Sequence, residues 1–505
     1  MKTIKNIALI SLIIIFLIGC DDLSYIPTNQ LADDVVLNST ELLGNITMGN
    51  YGRLKSADYN KIRQDCFEFG SDDGLIARTT SNHLLYQYNY NHINNSNHSR
   101  EFWTIAYHNL YSINVALESI PDDASAGLLQ LKGENLFLRG LMHFDLVRIF
   151  GRPYSHDSPE TNLGIVIMNS SNIGMIPARN TVKETYEFIV SDLLKAAEYM
   201  TEDKGNIFAS RVAAWALLAR IYLYMEQNEK AIEYADKVIN SGRHQLVSTG
   251  NLANYPTFVP ENNPETIFAI KFLASENLGQ GSLGSFHHGD GGWGQIFASK
   301  PFRVLISKYP EDKRINFIDP DWVLDANGNR IPDPTEDIFP GDVMGYRMTK
   351  REGKSKYWTR KQTGEDGIPM LHSPVIIRLG EIYLIKAEAS AKLGDNSTAI
   401  NCVNIIRTRA GLSGAALYST SDLKWHTSVL DVVLEERRLE LCFEGHRFAD
   451  VFRNKRDMNR SHIVPAAWSG DPNIPYTSLK IVNLIPLTEM LLNPNLVQNP
   501  LTVVP

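Results

Sequence analysis

A glycine-rich stretch in the middle of the chain carries side chains suited to holding a polar ligand. Residues 279–294 contain five candidate binding residues: Phe286, His287, His288, Asp290 and Trp293. An indole ring stacks on the apolar face of a sugar ring, while a carboxylate accepts hydrogen bonds from hydroxyl groups. The stretch therefore predicts a flexible ligand-binding loop. A surface loop whose tryptophan packs on the domain is the alternative that the residues leave open.

The same stretch matches the G-x-G-x-x-G pattern twice, at 279–284 and at 289–294. In a nucleotide-binding protein this pattern closes a strand, opens a helix and is followed by an acidic residue for the ribose. Neither match has that context, so we do not expect a nucleotide cofactor.

Other aromatic and acidic side chains could extend the same ligand surface. Four aromatic residues lie in the same glycine- and proline-rich part of the chain: Tyr309, Trp322, Tyr357 and Trp358. The turn-like segment 69–74 adds Asp72 and Asp73, which could line the same pocket. Residue types alone do not separate these roles from ordinary packing.

A calcium site is a weaker hypothesis for residues 325–336. Oxygen-bearing side chains follow the register of a twelve-residue calcium loop: Asp325, Asn327, Asn329, Asp333 and Glu336. Such a loop needs glycine at its sixth position, where this chain has Arg330. A polar turn is the alternative.

Motifs of the common enzyme classes are missing from the sequence. It contains no H-E-x-x-H and no G-x-S-x-G, and the Gly353-Lys354-Ser355 run lacks the earlier glycine of a phosphate-binding loop. The sequence thus favours a protein that binds its ligand without converting it. A helical glycoside hydrolase with two carboxyl groups facing a cleft remains the alternative from another class.

The charge balance argues against nucleic acid as a partner. The 505 residues include 49 Lys and Arg against 57 Asp and Glu, a net charge of −8. Binding to a phosphate backbone requires a basic surface. The hydrophobic content of 43% is that of an ordinary globular protein.

The first residues resemble the signal of a bacterial lipoprotein. Lys2 and Lys5 precede an apolar run, 7–18, that is short for a membrane span but suits an export signal. The run ends in a sequence like a lipobox, Leu-Ile-Gly-Cys20. We expect a signal peptide at 1–19, lipidation of Cys20 and a tether at 20–34. Several acyl chains would hold the protein firmly at a membrane; a plain membrane anchor with an incidental cysteine is the alternative.

The rest of the chain, 35–505, is predicted to be a single, mainly α domain with little β structure. Apolar periodicity predicts helices over 99–119, 127–150, 181–200, 208–225, 228–241, 375–393, 396–410 and 428–453. Two pairs, 208–241 and 375–410, have the small inner residues of tetratricopeptide-like hairpins, with 127–200 a plausible third. The helical scaffold would cover about 35–244 and 371–454. Large irregular insertions, about 245–370 and 455–505, would face the ligand.

The stretch 428–453 is predicted to be one long helix. Leu434, Leu441, Phe448 and Phe452 share one face at helical spacing. Gly445 lies on that stripe, which indicates close approach of another part of the chain. Opposite charges three residues apart predict pairs along the helix, such as Glu444 with Arg447.

Several segments resemble the SusD/RagB family of Gram-negative nutrient-uptake lipoproteins. The most characteristic is the run from Glu436-Arg-Arg to Phe443-Glu-Gly-His-Arg447. Six further segments resemble the family in the same order along the chain: 134–151, 177–186, 377–388, 406–411, 485–486 and 493–500. One departure is Gly380, where the family more often has a larger residue.

This resemblance implies four tetratricopeptide-like hairpins that pack against a SusC-like, TonB-dependent outer-membrane transporter. It also implies a ligand face in the irregular half that captures an oligosaccharide or polysaccharide, or a peptide in some members. The lipid anchor would hold the protein at the outer membrane, and Asp21-Asp22 resembles a signal for the cell exterior. The family's ligand residues vary between members, so the resemblance assigns none of them here.

Overall fold

The protein is described here from a computed structural model that covers residues 39–76, 84–289, 291–462 and 472–500. Helices dominate it, which confirms the prediction of a mainly α fold. The α-helices are α1 (Thr40–Leu54), α2 (Ala57–Glu68), α3 (Leu84–Tyr88), α4 (Asn97–Glu118), α5 (Ala126–Phe150), α6 (Val182–Tyr199), α7 (Arg211–Tyr224), α8 (Asn228–Asn240), α9 (Gly284–His287), α10 (Lys300–Ile306), α11 (Leu379–Lys392), α12 (Asn396–Arg409), α13 (Val429–Glu440), α14 (Arg447–Arg453) and α15 (Leu487–Leu492).

The β structure of the described residues consists of short antiparallel strands. They are β1 (Gly74–Ile76), β2 (Thr266–Ala269), β3 (Ile296–Ala298), β4 (Ile318–Pro320), β5 (Lys350–Arg351), β6 (Lys354–Ser355), β7 (Tyr357–Thr359), β8 (Val375–Arg378), β9 (Met458–Asn459) and β10 (Asn473–Ile474). One sheet has four strands in the order β1-β3-β7-β4, and the others pair β2 with β8, β5 with β6 and β9 with β10. Three of the strands in the predicted irregular half, β3, β4 and β7, therefore join into one sheet with β1.

The chain divides into two compact units, residues 1–45 and 46–505. Of the first unit, only 39–45 are described. The predicted signal peptide, Cys20 and the boundary between tether and domain lie outside the described residues, so they stay predictions. Within the described residues, no helix has the length and apolar character needed to span a membrane.

The predicted hairpins are present as pairs of packed helices: α5 with α6, α7 with α8, and α11 with α12. The apolar faces of α5, α6, α7, α8 and α11, together with α2 and α4, form the largest hydrophobic core of the described residues, whereas α12 packs with α11 and α13 in a separate cluster. Thr181 begins α6 with a capping box, because its hydroxyl accepts the Glu184 N–H at 3.1 Å and the Glu184 carboxylate accepts the Thr181 N–H at 2.8 Å. Loops, including the glycine-rich stretch, connect these helices to the four-stranded sheet.

The prediction of one helix over 428–453 is wrong, since α13 ends at Glu440 and α14 begins at Arg447. Between them, Phe443 and Gly445 have φ angles of 61° and 76°, which no α-helix accommodates. Partners distant in the sequence stabilise the break. Gly445 N–H donates to Glu68 Oε2 at 3.0 Å, and the Phe443 carbonyl accepts Gln64 Nε2–H at 2.7 Å.

Two related expectations also need correction. The predicted helix 375–393 begins as strand β8 and becomes helical only at Leu379. The predicted pair between Glu444 and Arg447 does not form, because the helix break separates the two side chains. Glu444 contacts Lys361 and Arg378, whereas Arg447 pairs with Asp72.

The break places α13 against a buried group of charges, which we call the arginine–glutamate cluster. Its members come from five distant segments: Glu265, Arg314, Arg378, Arg407, Arg409, Glu436, Glu440 and Glu444. Arg378 is central, with Nη1 2.6 Å from Glu440 Oε1 and 3.0 Å from Glu265 Oε2. Burial would raise the pKa of the Glu440 carboxyl, but the surrounding cations, Arg409 first, lower it below its ordinary value. Both partners therefore stay charged in the protein interior.

The cluster also explains why residue 380 is glycine in this chain, where the resembled family more often has a larger residue. A Cβ at position 380 would lie 2.6 Å from Arg378 Nη1 and 3.1 Å from Glu440 Oε1. The first distance is too short for a non-bonded contact between two heavy atoms. Both contacts are with groups held in ion pairs, which cannot easily move away. Glycine at this position makes room for the cluster.

We expect Arg378→Ala to destabilise the protein by about 3–5 kcal/mol, because it leaves buried carboxylates without a partner. The matched control is Arg243→Ala, which removes an ion pair with Asp203 whose side chains are 41% and 56% exposed. That pair should contribute about 1 kcal/mol or less. Urea unfolding of both variants measures the difference. Equal losses of stability would show that the cluster does not stabilise the fold.

Candidate functional site

A cleft of about 540 Å³ opens in the irregular half of the chain. Its volume is within the range of about 300–1,000 Å³ that is typical of small-ligand sites. Segments from four parts of the sequence line it: Thr257, 287–289, 319–321 and residues between 358 and 369. We call it the Trp358 cleft.

Two neighbouring strands place the central side chains of the Trp358 cleft. Asp319 on β4 is the cross-strand partner of Trp358 on β7, and directly opposed residues lie on the same face of a sheet. Phe297 on β3 opposes Trp358 from the other side, with the ring centroids 4.8 Å apart and nearly perpendicular. The indole therefore has a fixed position at the floor of the cleft.

The residues that follow β7 link the Trp358 cleft to the arginine–glutamate cluster. Lys361 donates to the Glu440 carbonyl at 2.6 Å, and Gln362 Nε2 donates to the Phe443 carbonyl at 2.6 Å. Arg360 and Thr363, on either side of this buried pair, line the cleft. Anchoring 361–362 in the interior thus holds their neighbours Arg360 and Thr363 at the wall of the cleft.

The glycines of the 279–294 loop permit close packing on Trp358. A Cβ at position 294, where φ is 49°, would lie 2.5 Å from the Trp358 ring, and one at position 284 would lie 2.4 Å from the Met370 carbonyl oxygen. No larger residue fits at either place. The loop contains the short helix α9 and wraps the indole, so the glycines serve packing at these two positions.

Several polar groups of the Trp358 cleft are free to bind a ligand. Within the described part of the chain, no hydrogen bond or ion pair engages the side chains of His288, Asp319 or Arg360, nor the Trp358 indole N–H. The buried Thr363 hydroxyl also lacks a partner there. Unpaired polar groups in a cleft are costly unless water or a ligand satisfies them. Together they offer donors and an acceptor beside an aromatic edge.

His287 supports the Trp358 cleft from beneath. It is buried, and its Nδ1 lies 2.6 Å from Thr359 Oγ1 on β7. Burial, together with the nearby His372, lowers the pKa of His287 to about 3. The imidazole is therefore neutral at physiological pH and acts as a hydrogen-bonding link between the loop and the sheet.

The structure brings only part of the predicted ligand set together. His287, His288 and Trp358 line the Trp358 cleft, whereas Phe286 and Trp293 do not. Phe286 is buried against Phe69, with their centroids 5.6 Å apart. Trp293 is 39% exposed on the outside of the loop, where its indole N–H donates to the Gln280 carbonyl at 2.8 Å. Asp290 lies outside the described residues.

The remaining predicted aromatic residues occupy separate places. Trp322 packs with its edge to Phe339 and Tyr346, and the Arg330 guanidinium lies 5.0 Å from its ring centroid. Tyr357 is buried beneath Arg303. Tyr309 is half-buried and has Trp425 as its aromatic neighbour, at 6.4 Å. These rings do not form one platform with Trp358.

Asp72 and Asp73, which were predicted to line the ligand pocket, are instead held in ion pairs elsewhere in the structure. Asp72 binds Arg447 through two hydrogen bonds of 2.7 and 3.0 Å, and Asp73 Oδ1 accepts Arg438 Nε–H at 2.6 Å. Both aspartates are buried. They join the turn after α2 to α13 and α14 and do not line the Trp358 cleft.

The segment proposed to bind calcium folds as a polar turn. Asp325 Oδ1 accepts the backbone N–H groups of Asn327 and Asn329, each at 2.8 Å. Glu336 instead accepts a hydrogen bond from Ser355 at 2.9 Å and pairs with Lys350. Among the described residues, no group of three or more His, Cys, Asp or Glu side chains is arranged to hold a metal ion.

Sequence reasoning missed most of the polar lining of the Trp358 cleft. Thr257, Asp319, Arg360 and Thr363 occur singly in loops or at strand ends, without a motif. The only available signal was their position in the irregular half, next to the aromatic pair 357–358.

The helical hairpins and the loop-built cleft define a helical-repeat binding protein. A model of a SusD-like family described as "Starch-binding associating with outer membrane" matches residues 22–223, and a model of the SusD family matches 338–501. The chain belongs to the SusD/RagB family. Its family resemblance thus agrees with its helical fold.

Individual proteins match along nearly the whole chain. SusD-like protein P2 of Formosa agariphila is 24% identical, over 96% of this chain and 97% of its own. A SusD superfamily structure from Bacteroides vulgatus superposes with a TM-score of 0.77 at 26% identity, covering 92% of this chain and 99% of its own. Another Bacteroides vulgatus structure, provisionally described as a sugar binding protein, gives 0.75 at 27% identity, with coverages of 92% and 98%.

We predict that His287 makes stability depend on pH. Its pKa of about 3 lies below the value of about 6.5 for an unfolded chain. Between these values the unfolded state binds a proton that the native state does not, so stability falls as pH falls through this window. His287→Gln should flatten the fall by up to about 1.4 kcal/mol per pH unit.

Urea unfolding at several pH values between 7 and 4 measures this slope. His108→Gln, at an exposed position on α4, serves as the control and should leave the slope of the wild type unchanged. Parallel curves for wild type and His287→Gln would contradict the assignment of a neutral, buried His287.

Proposed function

We propose that this protein captures an oligosaccharide or polysaccharide in the Trp358 cleft. The observation that carries the proposal is the convergence of unpaired polar side chains, with Asp319 and Arg360 at its centre, beside a fixed indole. A sugar presents hydroxyl groups that both donate and accept hydrogen bonds, and C–H faces that pack on aromatic rings. The Trp358 cleft offers the polar partners and an edge of the largely buried Trp358 indole.

The relatives support this class of ligand. The chain resembles a Bacteroides vulgatus protein provisionally described as sugar binding, and one matching family model is described as starch-binding. The sequence features extend the proposal to cellular function. Lipidation at Cys20 would hold the protein at the outer membrane, facing the exterior, and a SusC-like TonB-dependent transporter would receive the glycan.

Binding without hydrolysis is part of the proposal. Glycoside hydrolases use a pair of carboxyl groups facing the scissile bond. Asp319 and Asp321 both line the Trp358 cleft, but Asp321 accepts a hydrogen bond from Thr349 at 2.6 Å and lies 3.5 Å from Lys356. Among the described lining residues, this leaves Asp319 as the one free carboxylate.

We expect Arg360→Ala to weaken retardation in native gels that contain a bound polysaccharide. The wild-type chain, purified in non-ionic detergent, is first run against amylopectin, pullulan, laminarin, xylan and galactomannan. For the polysaccharide that retards the wild type, the variant should bind about ten- to a hundredfold more weakly, since it loses charge-assisted hydrogen bonds of about 1.5–3 kcal/mol. Arg360 is exposed and free of ion pairs within the described chain, so its loss should not alter unfolding.

Arg100→Ala is the matched control, because Arg100 is also exposed but lies on α4. It should migrate like the wild type. Retardation that survives Arg360→Ala unchanged would move the site elsewhere. Absence of retardation by every polysaccharide would turn the proposal toward a peptide ligand, and release of sugar products by the wild type would favour a hydrolase.

A further inference from the structure

Trp425 is the most exposed tryptophan among the described residues, with 49% of its surface accessible. It lies in the connection between α12 and α13, which contributes no residue to the lining of the Trp358 cleft. A single exposed ring is common on a protein surface, so Trp425 is of interest because a cavity adjoins it. Nothing in the family motifs or in the Trp358 cleft uses this side chain.

The surroundings of Trp425 hold its ring in place. The Lys308 ammonium lies 3.7 Å from the ring centroid, and the Trp425 indole N–H points to Glu435 Oε2 at 3.4 Å. The Tyr309 ring is tilted by 33° at 6.4 Å. An aromatic surface fixed before binding loses little conformational entropy when a ligand stacks on it.

The connection that carries Trp425 is itself anchored. Asn404 on α12 makes two hydrogen bonds with the backbone of Tyr418, of 2.8 and 3.0 Å. The Tyr418 ring lies under the Arg407 guanidinium, which belongs to the arginine–glutamate cluster. The ring of Trp425 is therefore displayed from an ordered part of the chain.

A cavity of about 330 Å³ adjoins Trp425. Polar side chains dominate its lining: His426, Thr427, Asp431, Glu435, Arg438, Arg447 and Arg456. This lining shares no residue with the Trp358 cleft. We call the cavity and the exposed indole the Trp425 site.

The charges of the Trp425 site are balanced. Arg456 pairs with Asp431, and Glu435 contacts both Lys308 and His426. Arg438 pairs with the buried Asp73, and Arg447 pairs with the buried Asp72. A strongly charged ligand would have to displace one of these pairs. A neutral ligand with many hydroxyl groups would only add hydrogen bonds to them.

We propose that the Trp425 site is a second saccharide-binding site, in which a neutral sugar ring stacks on the Trp425 indole and places its hydroxyl groups against Asp431, Glu435 and the arginines. The proposal rests on the proposed function, because it assigns the same ligand class to another surface. Two sites on one chain increase the retention of a polymeric glycan through multivalency.

The test compares three variants on the polysaccharide, from amylopectin, pullulan, laminarin, xylan and galactomannan, that retards the full-length wild-type chain in detergent. Trp425→Ala should raise the apparent dissociation constant about three- to tenfold, and Trp425→Phe, which keeps an aromatic ring, should recover most of the binding. Tyr111→Ala removes another exposed ring, on α4, and should bind like the wild type. Unchanged thermal unfolding of Trp425→Ala establishes that the fold is intact.

Calorimetry with an oligosaccharide cut from the same polysaccharide counts the sites. The wild type should bind two molecules per chain. In Trp425→Ala and in Arg360→Ala, one of the two sites should keep wild-type affinity while the other is weakened. If Trp425→Ala keeps wild-type affinity and stoichiometry while Arg360→Ala loses binding, the Trp425 site is refuted and the Trp358 cleft stands. If only Trp425→Ala loses binding, the Trp425 site stands and the Trp358 cleft is refuted. No binding of any polysaccharide by the wild type would overturn both.

Discussion

Burial of the arginine–glutamate cluster is the constraint on which the rest of the structure depends. A charge removed from water is tolerated only when an opposite charge and hydrogen bonds surround it. Arg378 meets this requirement with three carboxylates from two other segments, at position 265 and at positions 440 and 444. The cluster thus fixes the end of β8 against the end of α13, where the chain leaves helical geometry after Glu440.

The arginine–glutamate cluster also helps to position the segments that carry both proposed binding sites. Lys361 and Gln362 bind the carbonyls of Glu440 and Phe443 at the helix break, which places their neighbour Arg360 in the Trp358 cleft. Arg407, another member of the cluster, lies under the Tyr418 ring in the connection that carries Trp425. The scaffold therefore positions the groups of both proposed sites, and in the Trp358 cleft the polar groups proposed to meet a sugar are different from those that hold the fold.

The sequence allowed the helical scaffold to be predicted because its signals are local. Apolar periodicity and the capping box at Thr181 are both formed by residues a few positions apart, so the sequence predicts the hairpins and most helix bounds directly. The break at 441–446 was missed because its causes, Gln64 and Glu68, lie more than 370 residues away. Asp72 and Asp73 have the residue types of a ligand loop. Only the fold shows that their carboxylates pair with Arg447 and Arg438. The Trp358 cleft was anticipated only in part, since single residues such as Asp319 and Arg360 acquire a role when β4 and β7 pair.

Hydrogen exchange of the full chain with and without the retarding polysaccharide tests the central claim most directly. If the irregular half binds glycan at a face fixed by the arginine–glutamate cluster, the ligand should slow exchange of the backbone N–H groups of 286–289 and 357–364. Exchange in the helical hairpins α5–α6 and α7–α8 should stay unchanged. Slowing confined to those hairpins, with none at β7 or in the 286–289 segment, would contradict the account.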